Sequence, residues 1–190
     1  CVEASGPLWE QLHLPSELAL REVDLYHSPL FTCPVVREVP SVITIHDAIP
    51  ETRPDLCPEE YLEFYRRSVG RSVRAAEAVV TVSEFSRREI TAHLEVPPGK
   101  VHVIYQSVSG AFSPGRKWEA AALRKRLGLP ERYVLYVGRV ERRKNVTGLI
   151  EAFAHLAAED PDAALVMAGQ PGEGAERAEE AIRRLGLEGR

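Results

Sequence analysis

The stretch "YVLYVGRVERRKNVTGLIEAFAHL", residues 133–156, joins an apolar run to a helix-like run through a short basic segment. Tyr133 to Val137 has the length and composition of a buried strand, and a helix is expected over 146–158. Between them, Arg139, Arg142, Arg143 and Lys144 place four cations in six positions. A strand that hands over directly to a helix is the repeating unit of a parallel α/β fold. The charge has two explanations at this point, a solvated turn or an anion site.

Working outward, further apolar runs rich in valine and isoleucine predict strands at 23–27, 41–46, 78–82, 101–105 and 163–168. Their near-continuous apolar character is that of strands covered by helices on both faces. Helices are predicted between them. In 59–77, Leu62, Tyr65, Val69, Val73 and Ala76 recur at intervals of three and four and mark one buried face, with Arg66, Arg67, Arg71 and Arg74 largely opposite. The next helix starts near "SEFSRREI", where Ser86 and Glu89 have capping-box spacing and Ser83 competes as the cap. Helices at 119–127 and 175–185 complete the pattern, the last with Ala178, Ala181, Ile182 and Leu185 on one side.

The 190 residues are 44% hydrophobic and 27% charged, the composition of a globular protein, enough for one ordinary domain or two small ones. A net charge of −4 argues against nucleic acid as a partner and confines any anion binding to local clusters. No apolar run approaches the roughly 20 residues that cross a bilayer, and no leader pattern opens the chain. Three widely spaced cysteines, Cys1, Cys33 and Cys57, argue against a disulfide framework and fit a reducing, cytoplasmic setting. The Ser-, Gly- and Pro-rich segment 107–118 reads as a boundary, giving domains at 1–112 and 113–190. The second has only two predicted strands, too few to bury a sheet, and looks unfinished. An opening cysteine in place of methionine likewise reads as part of a longer polypeptide.

In parallel α/β sheets, ligands gather beyond the carboxyl ends of the strands, close to helix N-termini. Gly138 and Arg139 fall there. Gly138 has no side chain to keep a ligand from the backbone, and Asn145 suits the cap position of the next helix, whose dipole favours negative charge. Arg139 can fork onto phosphate oxygens while Lys144 supplies a compact charge. No acidic metal-binding cluster accompanies the strand, so side chains rather than a metal ion would offset a diphosphate. Arg142 and Arg143 read as solvated loop charges.

"VITIHDAIP", residues 42–50, ends another strand on His46 and Asp47. The imidazole suits a sugar hydroxyl or a proton shuttle, whereas Asp47 is explained as well by capping the turn before Pro50. His27 also ends a strand, and a core histidine is the favoured reading there. Gly169 opens a glycine-rich loop, "AGQPGEGAE", whose spacing is not the dinucleotide fingerprint.

In order, "VITIHDAIPE", "AVVTVSEFSRREI", "VPPGKVHVIYQSVSGAFSP", "LRKRLGLPERYVLYVGRVERRKNVTGLIEAFAHL" and "DAALVMAG" resemble the retaining glycosyltransferases of family 4, of GT-B fold. The resemblance implies two Rossmann-like domains with parallel sheets and a cleft between them. It implies transfer of a hexose from a nucleotide-sugar donor to a sugar or lipid-linked acceptor, with retention and no metal or other cofactor. Arg139 and Lys144 match the residues that clamp the donor diphosphate, with Gly138, Asn145 and Gly169 on the donor side. His46 matches the histidine that reaches the transferred sugar, with Asp47 and Ser83 on that acceptor or sugar side. His46, Arg139 and Lys144 are thus the expected catalytic set. A cytoplasmic protein touching the membrane peripherally is implied as well, with oligomeric state left open.

Two departures stand out. The family's PNGVD stretch is replaced by "YQSVS", residues 105–109. Its N-terminal glycine-rich loop and its later E-x7-E motif have no counterpart, so an internal fragment, inactive by itself, is expected. Two other readings compete: a non-catalytic nucleotide- or partner-binding module with helix 59–77 as docking face, and a sugar-nucleotide 2-epimerase of the same fold, which would need cleft carboxylates.

Overall fold

The computed structural model describes residues 6–36, 38–113 and 117–190. The chain divides into two compact units, Cys1–Val108 and Ser109–Arg190. The break falls inside the expected boundary segment 107–118, of which 114–116 lie outside the described residues.

The first unit carries strands β1 (Tyr26–Ser28), β2 (Ser41–Thr44), β3 (Ala78–Thr81) and β4 (Val101–Val103). They form one parallel sheet in chain order, with Tyr26 opposite Ser41, Val42 opposite Ala78 and Val79 opposite Val101. The 26–28 strand is shorter than the run that predicted it. Helices α1 (Pro7–Leu12), α2 (Leu14–Leu20) and the single turn α3 (Ile49–Thr52) were not expected from sequence. All three carry proline at their first or second position, where a missing N–H costs nothing.

Helix α4 (Glu59–Ala75) buries the face its periodicity predicts, with Leu62, Tyr65, Val69 and Val73 each at most 5% exposed. Ile43 and Val79 of the sheet are fully buried in the same core, as is Ile90 of α5 (Glu84–His93). Each such side chain contributes about 1.5–3 kcal/mol of transfer free energy. The alternate positions Val42, Ala78 and Val80 are only half-buried. Side chains thus alternate across the sheet, with the more deeply buried positions in the core cluster that α4 and α5 share.

The second unit contains α6 (Lys117–Leu127), β5 (Arg132–Val137), α7 (Val146–Glu159), β6 (Ala163–Ala168) and α8 (Ala175–Arg184). β5 and β6 pair in parallel, Val134 opposite Leu165 and Tyr136 opposite Met167. Their core face packs on Ile150 and Phe153 of α7 and on Ala178 and Ala181 of α8. On the other face Leu135 and Val137 are 54% and 73% exposed. Among the described residues, that face of β5 is open. Among the described residues, no helix is long and apolar enough to cross a membrane.

Candidate active site

At the carboxyl end of β5 the chain turns through Gly138, whose φ of 153° belongs to glycine. A Cβ there would meet the Tyr136 hydroxyl at 3.0 Å. That hydroxyl instead donates to the Arg139 carbonyl at 2.8 Å, which also accepts the Glu141 N–H at 3.0 Å. The basic segment is then stitched to the loop after β6. Gly138 N–H donates to Ala168 O, Val140 N–H to Gln170 O, Gly172 N–H to Val140 O, and Arg142 N–H to Glu173 O at 2.7 Å. Gly169 packs so tightly on the Gly138 carbonyl that no Cβ fits between them.

The four cations are therefore carried by a backbone held on a second loop, not by a free turn. Arg139 and Lys144 are both exposed. The Arg139 guanidinium lies 3.3 Å from the Glu141 carboxylate, and Arg143 reaches the other carboxylate oxygen at 3.7 Å. A 3-10 turn over Arg142–Lys144 leads into α7. Beside it lies a cavity of about 510 Å3 lined by Arg142, residues 172–175, Glu176 and Arg177.

Asn145 takes the cap position of α7, but not as a hydrogen-bonding cap. It is left-handed, φ 51° and ψ 41°, and its side chain makes no cap hydrogen bond. A working cap residue needs extended backbone to aim its oxygen at the second or third N–H. The amide instead lies over Gly148, where a Cβ would come within 2.6 Å of Nδ2. Gly148 makes that fold possible, and nothing in the sequence marks the contact.

In the first unit His46 and Asp47 lie just beyond β2 and are both exposed. Asp47 Oδ1 accepts the Ile49 N–H at 3.1 Å, closing the turn ahead of Pro50. Ser83, not Ser86, caps α5: Ser86 N–H donates to Ser83 Oγ at 3.0 Å, and Ser86 is itself buried inside the helix. The Ser83 hydroxyl also donates to Ser86 Oγ at 3.0 Å. His27 is exposed rather than a core histidine, and its Nε2 bonds Thr44 Oγ1 of β2 at 2.9 Å. Sequence reading missed this pair because only the strand register brings the two residues together.

Comparison with known proteins bears on both units. Residues 3–109 match the glycosyltransferase family 4 model, and residues 119–190 match the glycosyl transferases group 1 model. An O-antigen chain mannosyltransferase B of Escherichia coli is 31% identical over 133 residues, 70% of this chain and 35% of that protein. An alpha-D-kanosaminyltransferase of Streptomyces kanamyceticus is 32% identical over 138 residues, covering 69% and 35%. The chain thus spans about a third of the length of these relatives. Among solved structures, Anabaena HepE in complex with UDP-glucose superposes with a TM-score of 0.69 at 23% identity, over 96% of this chain and 51% of HepE. That likeness shows a shared fold of the GT-B type. With more than half of its residues matched by one family model, the chain belongs to glycosyltransferase family 4.

Proposed function

We propose that the protein is a glycosyltransferase that moves a hexose from a nucleotide-sugar donor to an acceptor, with retention and without a metal ion. The observation that carries this reading is the Arg139–Lys144 segment, four cations on a backbone fixed by the loop after β6. A departing nucleoside diphosphate develops negative charge on its phosphate oxygens as the glycosidic bond breaks. Cations gathered where that charge develops stabilise the transition state by offsetting it. Arg139 supplies two-point contact and Lys144 a mobile point charge. Gly138 admits the phosphates to the backbone, Asn145 and Gly169 shape the same loop, and the neighbouring cavity offers room for the rest of the nucleotide. The density of side-chain cations is what supports a metal-independent step.

His46, with Asp47 and Ser83 on the same unit, is assigned to the sugar side. The exposed imidazole suits a hydrogen bond to a hydroxyl of the transferred sugar. HepE was solved with UDP-glucose, so UDP is the natural first probe. Titration calorimetry of the 190-residue chain with UDP is expected to give measurable binding. Arg139→Ala and Lys144→Ala should each weaken it about 10–100-fold, the scale of one lost charge-assisted hydrogen bond. Added EDTA should leave the affinity unchanged. Equal binding by wild type and both variants would remove the donor-site reading, and a loss with EDTA would remove the metal-free one.

A further inference from the structure

We propose that Glu141 is a built-in counter-ion that holds Arg139 and Arg143 while the anion site is empty and must release them when a diphosphate binds. The inference rests on the donor-site reading and assigns an affinity-setting residue within it. Its basis is the place of Glu141, just ahead of the 3-10 turn Arg142–Lys144, with both arginines in reach of its carboxylate. The carboxylate contacts both, Oε1 at 3.3 Å from Arg139 Nη1 and Oε2 at 3.7 Å from Arg143 Nη2.

The contact is made for release rather than for locking. The contacts are long, 3.3 and 3.7 Å, against the roughly 2.7–2.9 Å of a tight charge-assisted hydrogen bond. Arg139 is 63% exposed, so its ion pair is weak and easily exchanged. Glu141 is less exposed, at 24%, and its backbone is fixed through its own N–H to Arg139 O and its carbonyl to Lys144 N–H. The acid is therefore the stationary partner and the arginines the mobile ones. An incoming diphosphate carries more charge and more acceptor oxygens than one carboxylate, and takes the guanidinium groups from it.

The test is the affinity of the chain for inorganic pyrophosphate. Glu141→Gln removes the competitor while keeping the side-chain shape, and should tighten binding about two- to fivefold, the worth of an exposed ion pair. Glu176→Gln removes the same charge from the wall of the adjacent cavity and should tighten it by less. Unchanged or weaker binding by Glu141→Gln, or an equal gain from Glu176→Gln, would overturn the proposal. In those cases wild-type binding that is still lost in Arg139→Ala would leave the donor-site reading standing. No pyrophosphate binding by wild type would overturn both.

Discussion

Gly169 and Gly148 illustrate how single atoms position the basic segment. A methyl group on Gly169 would collide with the Gly138 carbonyl, backbone against backbone, so neither loop can yield cheaply. Gly169→Ala should therefore cost about 1–3 kcal/mol, the usual range for overpacking. It should also weaken UDP binding, because it pushes apart the strand ends that carry Arg139. Chemical denaturation and UDP titration of the same sample check both effects, and wild-type values for both would show that the close approach is not needed. The glycine was legible in sequence as part of a glycine-rich loop, but the reason for it was not. Its neighbour lies on the preceding strand's end, and only the β5–β6 register reveals it. Asn145 shows the same limit: a cap-forming residue at a helix start suggested a hydrogen bond, yet its backbone is left-handed and the side chain makes none.

At the scale of elements, α4 was the most legible part of the chain because seventeen residues sample its period several times over. What periodicity could not show is the fate of the Tyr65 hydroxyl. The side chain is 1% exposed, its ring centroid lies 5.0 Å from that of Phe31, and the hydroxyl has no hydrogen-bond partner among the described residues. An unpaired buried polar group costs about 1–3 kcal/mol, so Tyr65→Phe should raise stability by roughly 1 kcal/mol instead of lowering it. Burial, with the carboxylates of Glu51 and Asp47 adding to it, also pushes the phenol well above its ordinary pKa of 10.0. The unfolded chain then releases this proton near its ordinary value while the folded chain keeps it. The contribution is complete below about pH 10 and is lost as pH rises above it. Stability of wild type should fall more steeply above about pH 10 than that of Tyr65→Phe. Parallel curves in urea titrations on either side of that pH would refute this. The short helices α1 to α3 stayed hidden because six, seven and four residues are too few to establish a period.

For the whole molecule, the inequality between the two sheets, already visible in the number of apolar runs on either side of segment 107–118, has a consequence for stability. Among the described residues, the first unit joins four strands around a core built on Ile43, Tyr65, Val79 and Ile90. The second pairs two, and its outer face leaves Leu135 and Val137 in water. Two strands backed by helices on one side bury less apolar surface per residue, so the second unit should be the weaker one. Scanning calorimetry of the 190-residue chain is expected to resolve two transitions, with Ser109–Arg190 melting first. The proposed anion site is built from residues of that unit, and a ligand stabilises only the structure that binds it. UDP at about 100 times its dissociation constant contributes roughly 2.7 kcal/mol, which for a unit of this size raises the lower transition by about 10–20 °C. The upper transition should stay where it is, and Arg139→Ala should abolish the shift. A ligand-dependent rise in the upper transition would place the site in the other unit, and a single transition would mean that the two units unfold as one.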